Sequence, residues 1–487
     1  METYFGADEL NDEGRMWADL EKMEETPHVA ELKRQTRIRS PFVYKDDEKY
    51  IKFWKTYGET TEMAAGLDRE LPFPVYQLAI LDPADELGQQ GLKVKNPNET
   101  GELQYLEFDQ DGMAVAVTDI FGKTTRRRVC PECHNPLPLL YGKNPVKFIS
   151  VIGVTGAGKT VYISQLLKHM SKYSAYAKLV PNFTSNHESN FIEQNPVERD
   201  KPLPNATMRG QLSQPLFYDI LQVNAWGRKT TNTIVIYDIA GEDCIDTTAM
   251  DNKMRFVEKA DGIILLIDPS QLELTQETLE RSAEPDLVLQ TIHTSFVASN
   301  SGKNEKYNKP VAVCVSKSDK FADNLELVMQ DISPVIDENS GENLPLFNAT
   351  DYNVLEPQIK ALMNDALKVR LETEYSNFNY FVFSATGCPV EERMDERGRR
   401  RSFLAGPPFP KRIAEPLLWM FHQFGYIKSD IPVRLPVKRP EYRVRREEIR
   451  KGFLGLGRKK VTVESEMTPE QKEQLWYEEP KYSERKF

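Results

Sequence analysis

The segment GVTGAGKT, at residues 153–160, constrains this chain more than any other part of its sequence. It fits the pattern G-x-x-x-x-G-K-[ST], with the apolar run VKFISVIG before it and the helically spaced run TVYISQLLKHMSKYS after it. Glycines let the backbone curl so that several N–H groups face one anion, and a helix N-terminus favours negative charge. The segment therefore predicts a nucleotide-phosphate site between a buried strand and a helix.

Two side chains at the end of this loop have separate chemical tasks. The Lys159 ammonium can bridge the terminal phosphates, and the Thr160 hydroxyl suits Mg²⁺, a hard cation that takes oxygen ligands. A glycine-rich turn without a ligand is the alternative interpretation of the same segment. The nucleotide-binding residues predicted here are Gly153, Val154, Thr155, Gly156, Ala157, Gly158, Lys159, Thr160 and Val161.

Strand-like and helix-like patterns alternate from residue 146 onward, which predicts an α/β fold. The helical patterns are TVYISQLLKHMSKYS, DLVLQTIHTSFVAS, NVLEPQIKALMNDALKVRLE and KRIAEPLLWMFHQF. The strand patterns are VKFISVIG, QPLFYDILQV, TNTIVIYDIA, ADGIILLIDP, PVAVCVSKSD and FNYFVFSATG. The turn-rich NAWGRKT joins the second and third strands, so we expect an antiparallel hairpin there.

The third of these strands ends in the motif DIAG, at residues 238–241. A carboxylate at Asp238 can hold a magnesium ion through a water molecule. A glycine at Gly241 can offer its N–H to a γ-phosphate and lose that contact after hydrolysis. An ordinary strand followed by a glycine turn is the alternative, and the preceding phosphate loop favours the functional interpretation.

Five motifs in this order resemble those of the TRAFAC-type, Ras-like P-loop GTPases. The first is GVTGAGKT, the third DIAG, the fourth SKSD, and the fifth SAT at residues 384–386. The second is a lone threonine ahead of the hairpin; Thr207 has the expected place and Thr184 is its rival. The resemblance covers residues 146–427 and implies a GTPase-like mixed sheet with helices on both faces.

The resemblance also implies how a guanine base is read. Asp319 would accept hydrogen bonds from the ring N–H and the exocyclic amine, a donor pair that adenine lacks. Lys317 would lay its aliphatic stem along the base, and the Ala385 N–H would meet the guanine carbonyl. Ser384 and Thr386 complete the fifth motif.

Two positions depart from the family pattern. Ser316 stands where the family has Asn or Thr, and Glu242 stands where many members place a water-orienting glutamine. A negative charge near the γ-phosphate predicts slow or partner-activated hydrolysis. The catalytic residues that the resemblance implies are Lys159, Thr207, Gly241 and Glu242, and the magnesium ligands are Thr160, Thr207 and Asp238.

A pair of cysteines precedes the phosphate loop in the segment CPECHNPLP. Cys130 and Cys133 on a proline-containing turn form half of a zinc-ribbon site, with His134 beside them. Three interpretations stay open: Zn²⁺ completed by other ligands, a degenerate ribbon without metal, or a redox pair. The order of ribbon, phosphate loop and closing EPLLWMF helix resembles bacterial double-GTPase proteins, with one knuckle of the ribbon lost.

Changes in composition along the chain predict its division into segments. These are a charged, helical N-terminal extension (1–70), a small β-rich zinc-ribbon-like module (71–145), a GTPase domain (146–427) and a charged, partly disordered tail (428–487). Basic residues flank an apolar cluster in residues 443–460, so docking to a protein partner or weak peripheral membrane contact is possible there.

Composition limits where the chain works and what it binds. It has 487 residues, a net charge of −11, five cysteines and 40% apolar residues. The negative charge disfavours specific nucleic-acid binding, and the sparse cysteines argue for a reducing compartment. No stretch is long and apolar enough for a secretory signal or a bilayer span. We therefore expect a cytoplasmic protein.

Three hypotheses for function follow from these patterns. The first is a GTP/GDP-binding switch that needs Mg²⁺, hydrolyses GTP and signals to protein partners through its nucleotide-dependent loops. The second is a P-loop ATPase or kinase-like enzyme, although the motif SKSD has no obvious task in it. The third is a hydrolysis-deficient GTPase-fold scaffold.

Overall fold

The computed structural model describes part of the chain. The described residues are 3–6, 75–78, 105–108, 114–118, 124–125, 127–129, 143–153, 156–183, 186–204, 215–223, 229–240, 257, 259–274, 285–299, 306–321, 330–395, 398–437, 444–451, 458–465, 468–469, 471 and 476–478.

The strands of the described residues are numbered in chain order. They are β1 (Thr3–Gly6), β2 (Val75–Leu78), β3 (Tyr105–Phe108), β4 (Ala114–Thr118), β5 (Thr124–Thr125), β6 (Arg127–Val129), β7 (Val146–Gly153), β8 (Leu179–Phe183), β9 (Leu216–Val223), β10 (Lys229–Ala240), β11 (Gly262–Ile267), β12 (Val311–Val315), β13 (Leu346–Phe347), β14 (Phe378–Val382), β15 (Val390–Met394), β16 (Arg400–Leu404), β17 (Lys428–Ser429), β18 (Val433–Arg434), β19 (Val444–Lys451), β20 (Arg458–Ser465) and β21 (Tyr477–Glu478).

The helices of the same residues are numbered separately. They are α1 (Lys159–Lys168), α2 (Met170–Tyr176), α3 (Asn186–Gln194), α4 (Pro285–Ser299), α5 (Ala349–Leu362), α6 (Asp365–Glu374) and α7 (Glu415–Gln423). Two short 3-10 turns, Pro269–Leu272 and Ser318–Lys320, follow β11 and β12.

A seven-stranded mixed sheet organises the chain from β7 to β14. Its order is β14-β12-β11-β7-β10-β9-β8; the first five strands are parallel, and β9 and β8 run antiparallel to their neighbours. This mixed α/β sheet confirms the predicted GTPase-like fold class. Because the carboxyl ends of parallel strands share one edge, the turns after β7, β10, β11, β12 and β14 meet there.

The hairpin expected around NAWGRKT is present. Strands β9 and β10 pair antiparallel, with Lys229 opposite Val223 and Ile236 opposite Leu216. The outer strand β8 was not predicted. It contains Pro181 and exposes much of its length, and both features are typical of a sheet edge, where the pattern of apolar residues is weak.

The long helical pattern at residues 353–372 forms two helices instead of one. Helix α5 stops at Leu362, and the Asn364 side chain accepts a hydrogen bond from the Leu367 N–H, 2.9 Å away, to cap α6. An asparagine at such a position favours a new helix start over continuation of the old one.

The core of the sheet lies around its central strands. All six residues of β11 and all five residues of β12 are buried. A strand that is covered on both faces has a continuous apolar sequence, and GIILLI and VAVCV show this pattern. Helix α7 contacts β12 and buries Trp419 and Phe421. This rigid centre holds the strand ends that carry the candidate site.

The segment between β14 and α7 contains a hairpin that the sequence pattern did not reveal. Its strands β15 and β16 pair antiparallel over five residue pairs, and the basic run Arg399–Arg401 lies at the start of β16. Acidic side chains on the same hairpin pair with its arginines, including Glu392 with Arg400 and Asp395 with Arg399. Arg399 and Arg400 are therefore paired with acidic side chains of the hairpin.

The remaining strands form small sheets. Strand β1 joins β2 and β6, so the predicted helical arm contributes a strand at its start; the rest of residues 1–70 lies outside the described residues. Strands β3, β4 and β5 form a second sheet. In the predicted tail, β17 pairs with β13, β18 with β21, and β19 with β20.

Candidate nucleotide-binding site

The phosphate loop connects β7 to α1, as the sequence predicted. Its glycines take left-handed backbone angles, with φ of 85° at Gly156 and 78° at Gly158, and helix α1 begins directly afterwards at Lys159. A side chain at Gly158 would have open space around it, so the backbone angle is what requires glycine there. Val154 and Thr155 lie outside the described residues.

The Lys159 ammonium is paired with the DIAG carboxylate. Its Nζ lies 2.9 Å from Asp238 Oδ1, and the two side chains are only 6% and 5% exposed. Strands β7 and β10 make this possible because they are parallel neighbours, with Asp238 in register with Val151. The structure thus brings together two predicted residues, Lys159 and Asp238, that are far apart in the sequence.

The donor set around this pair fits Mg²⁺. Thr160 offers a hydroxyl on the first turn of α1 and Asp238 offers a carboxylate at the end of β10, and both are hard oxygen ligands. Thr207, Gly241 and Glu242, which the resemblance implicated as well, lie outside the described residues, as does the rival Thr184.

Ser316 anchors the loop that follows β12. The residue is 1% exposed, and both its N–H and its hydroxyl donate to the Ile267 carbonyl, at 2.9 and 3.1 Å. The departure from the family's Asn or Thr therefore keeps a hydroxyl with a definite structural task. It ties the end of β12 to the end of β11.

Lys317 has a constrained backbone and a paired ammonium. Its φ is 54°, in the left-handed region, and its Nζ lies 2.7 Å from Asp268 Oδ2. Asp268 also accepts hydrogen bonds from the Ser270 N–H and hydroxyl, at 3.0 and 2.6 Å. A carboxylate with these three donors holds the lysine stem in one direction.

Sequence reasoning missed Asp268. Burial by itself raises the pKa of its carboxyl, but the Lys317 charge and the hydrogen bonds from Lys317 and Ser270 outweigh burial and hold the pKa below its ordinary value. The available signal was its place directly after the buried run GIILLI, where a carboxylate ends a parallel strand. No motif of the resemblance covers that position.

Asp319 and the fifth motif are in direct contact. The Ser384 hydroxyl donates to Asp319 Oδ1, and the Gly387 N–H donates to the Ser384 hydroxyl oxygen at 2.8 Å. The Ser318 N–H donates to the Phe383 carbonyl at 3.1 Å, so the two loops are joined through the backbone too. The fourth and fifth motifs therefore form one rigid corner.

The other residues of the fifth motif lie at the same corner. Ala385 is 9% exposed, and the Thr386 hydroxyl donates to the Cys388 carbonyl at 3.2 Å. Burial raises the pKa of the Cys388 thiol; a hydrogen bond with the Gly406 carbonyl opposes this shift, and the Asp319 charge adds to it. The thiol is therefore protonated near neutral pH.

The predicted zinc-ribbon residues Cys130, Cys133 and His134 lie outside the described residues. In the described residues, no group of three or more His, Cys, Asp and Glu side chains is placed to hold a metal ion. Nor is any helix in the described part of the chain both long and apolar enough to cross a bilayer.

The fold and these corners define a class of protein. A strand, a glycine loop and a helix position Lys159 and Thr160, and a neighbouring strand supplies Asp238. The corner where the fourth and fifth motifs meet holds Lys317 and Asp319; it is called the base-side corner because base recognition is expected there. This is the arrangement of a P-loop GTPase-like domain.

The comparison with protein families identifies the domain more narrowly. Residues 147–366 match the family model described as Double-GTPase 2, so this part of the chain is similar to that family. The match begins at β7 and ends in α6, so it covers the phosphate loop and the fourth motif but not the fifth.

A curated relative extends the similarity. The "Putative ESX-1 scaffolding and assembly protein SaeC" of Mycolicibacterium smegmatis is 23% identical over 334 residues, which are 61% of this chain and 80% of that protein. A crystal structure of a mutation variant of SsGBP matches with 16% identity and a TM-score of 0.19, covering 51% of this chain and 52% of that one.

Proposed function

We propose that this chain is a guanine-nucleotide-binding switch that hydrolyses GTP slowly and reports its nucleotide state to protein partners. The observation that carries the proposal is the contact between Asp319 and the Ser384 hydroxyl. This contact aims a carboxylate at the sheet edge where the phosphate loop also ends. Phosphate and base recognition are therefore combined on a single rigid edge.

The base-side corner favours guanine for a chemical reason. The Asp319 carboxylate can accept two N–H groups from the edge of guanine, whereas adenine offers no such donor pair. The hydroxyl of Ser384 fixes one carboxylate oxygen, and the pair of Lys317 with Asp268 fixes the lysine stem that lies along the base. Such preorganisation reduces the entropy cost of binding.

The phosphate side uses the buried pair of Lys159 and Asp238. When a nucleotide arrives, the Lys159 ammonium turns from the carboxylate toward the terminal phosphates, and Asp238 becomes available to Mg²⁺ together with Thr160. The ion supplies charge neutralisation at the phosphates when it is bound. The exchange of partners links the end of β10 to nucleotide binding.

Residues near the end of β10 then report the terminal phosphate. In this proposal the Gly241 N–H contacts the γ-phosphate, Thr207 would supply a hydroxyl ligand to Mg²⁺, and Glu242 orients the attacking water. The negative charge of Glu242 makes hydrolysis slow without a partner. In this proposal the bound nucleotide determines whether residues 182–210 and 239–255 are ordered. Protein partners recognise the ordered segments.

A hydrolysis-deficient scaffold is the second candidate function. Its support is the printed description of the relative as a scaffolding and assembly protein, together with Glu242 in the place of a water-orienting residue. In this version the domain binds guanine nucleotide for structural stability, and its surfaces assemble other proteins. The two candidates differ in the turnover of GTP.

The deciding experiment is a titration of fluorescently labelled GTP and ATP against the wild type and Asp319→Asn. We expect the wild type to prefer GTP and the variant to lose that preference. Xanthine has a carbonyl in place of the exocyclic amine, so the amide that Asp319→Asn introduces should restore binding of XTP. Equal or tighter ATP binding by the wild type would reject the guanine proposal and favour an ATPase or kinase-like enzyme.

Phosphate release measured on the same samples separates the switch from the scaffold. Slow release that Mg²⁺ removal and Thr160→Ala both abolish supports the switch. Tight GTP binding without any release over many hours supports the scaffold. Thr294→Ala is a matched control, because Thr294 is a threonine of helix α4, outside the predicted site residues, whose hydroxyl donates to the Gln290 carbonyl.

A further inference from the structure

The segment 405–411 lies along the fifth motif. The Ala405 N–H donates to the Pro389 carbonyl at 2.9 Å, and the Phe409 N–H donates to the Thr386 carbonyl at 2.8 Å. Lys411 and Ser384 form an antiparallel bridge with bonds of 2.8 and 3.1 Å. The segment is therefore fixed against the loop that carries Ala385.

The contact at Phe409 is closer than a side chain on the facing residue would allow. Gly387 has φ of 63°, and a Cβ built on it would lie 1.7 Å from the Phe409 carbonyl oxygen. Pro408 and Pro410 flank the phenylalanine and restrict its backbone. The position of Phe409 is thus set by the backbone of the fifth motif.

The ring of Phe409 is nevertheless 65% exposed. It makes no ring contact with another aromatic side chain of the described residues. Most other aromatic side chains near this corner are buried, such as Phe383 at 1% and Phe403 at 8%. A large apolar side chain held in this way gains the free energy of burial when a ligand covers it.

We propose that the Phe409 ring stacks against the nucleobase bound at the Asp319 corner. The Phe409 N–H donates to the carbonyl of Thr386, the residue after Ala385. The backbone of Phe409 therefore lies beside the fifth motif, where the base edge is expected to meet Asp319 and Ala385. Every base has a π-face, and aromatic side chains are common stacking partners for bases. This inference rests on the proposed function, since it requires a guanine nucleotide in the site.

This role divides base recognition between two segments. Asp319 reads the edge of the base and supplies specificity, whereas Phe409 contacts its face and supplies affinity that depends little on base identity. Phe409 is far from Asp319 in the sequence and belongs to none of the five motifs. Docking of a protein on the same ring is the competing explanation.

The test is fluorescent GDP binding by four single variants. Phe409→Ala removes the ring, Phe409→Leu keeps apolar volume without a π-face, and Phe409→Trp keeps stacking. Met394→Ala is the matched control, because Met394 is an apolar side chain that is 69% exposed on the neighbouring hairpin. Thermal melting of each variant reports whether the fold is intact.

We expect Phe409→Ala and Phe409→Leu to weaken GDP binding about tenfold or more, the range expected for loss of a stacked ring. Phe409→Trp and Met394→Ala should bind as the wild type does, with melting temperatures unchanged throughout. The emission of the indole that Phe409→Trp introduces should be quenched when GDP binds, because guanine lies against that ring.

Two results would overturn the stacking role while leaving the proposed function intact. One is wild-type affinity in Phe409→Ala, which would assign the ring to protein docking. The other is equal loss in Phe409→Ala and Phe409→Trp without quenching, which would show that only the packing of the segment matters. A wild type that binds no guanine nucleotide would reject the proposed function and the stacking role together.

Discussion

The Lys317 ammonium lies 2.7 Å from the Asp268 carboxylate and joins the ends of two neighbouring parallel strands. Asp268 is 1% exposed, and it also caps the 3-10 turn that follows β11. The pair therefore has two effects. It links the ends of β11 and β12, and it holds the stem of the lysine that is expected to lie along the base.

Replacing Asp268 by Asn should weaken guanine-nucleotide binding. Asn keeps the hydrogen-bonding shape but loses the charge that fixes Lys317, so we expect a three- to tenfold loss, about 1 kcal/mol. Equilibrium binding of labelled GDP measures it. The control is Asp261→Asn, which breaks the 2.7 Å pair of Asp261 with Lys147 at the opposite end of β11. Equal effects of both substitutions would contradict a local role.

The buried pair of Lys159 and Asp238 should contribute to stability without nucleotide. Lys159→Met leaves the Asp238 carboxylate, 5% exposed, without its ammonium partner, and we expect a loss of about 3 kcal/mol in the free energy of unfolding. Adding Asp238→Asn to that variant removes the unpaired charge and should recover part of the loss. Urea unfolding of both single variants and the double variant measures the coupling; additive losses would disprove it.

Gly387 should tolerate no side chain. In Gly387→Ala the new Cβ meets the Phe409 carbonyl oxygen at 1.7 Å and the backbone has φ of 63°, so we expect about 3 kcal/mol of destabilisation. Gly398→Ala is the matched control, since φ there is 70° with nothing within 4 Å. It should cost about 1 kcal/mol. Similar melting temperatures for the two variants would show that the segment moves freely.

Glu356 should make stability depend on pH. Burial raises the pKa of this carboxyl to about 7, although the Arg434 charge, with Nε 3.2 Å away, and Lys360 oppose the shift. Tyr352 on the same helix and Tyr380 on β14 face it as well. The folded protein therefore keeps a proton that the unfolded chain loses near pH 4.5.

The sign of the effect follows from that raised pKa. The contribution of protonated Glu356 is fully present below pH 4.5 and is lost as pH rises through about 7. Glu356→Gln cannot ionise, so it should gain stability relative to the wild type between about pH 5 and pH 8, by about 1–3 kcal/mol. Urea unfolding at both pH values measures the gain. A constant difference between the two proteins would contradict the prediction.

Much of the candidate site was predictable because its signals are local. The phosphate loop needs glycines, a lysine and a threonine within eight positions. The strand that contains Asp238 and the strand that precedes Ser316 both contain apolar runs. These patterns depend on the chain within a few residues, so they predicted six of the seven strands of the large sheet, all except β8. The hairpin of β9 and β10 was predictable for the same reason.

Other features depend on residues that meet only after folding. The pair of Lys317 with Asp268 joins two strand ends, and the 405–411 segment lies against the fifth motif through backbone bonds that no composition reveals. Strand β8 pairs with β9 at the edge of the sheet, and the arginines of the basic hairpin pair with acidic side chains of the same hairpin.

By itself, the sequence determined the class of fold and the phosphate loop, and it singled out Asp238 and Asp319. Glycine conformation, helix starts and apolar periodicity are short-range properties of the chain, and they suffice for those features. Only the tertiary structure decided that Asp268 directs Lys317, that Ser384 fixes Asp319, and that Phe409 stands exposed at the base-side corner. Those relationships arise from strand pairing and close backbone approach, which bring distant residues within hydrogen-bonding distance.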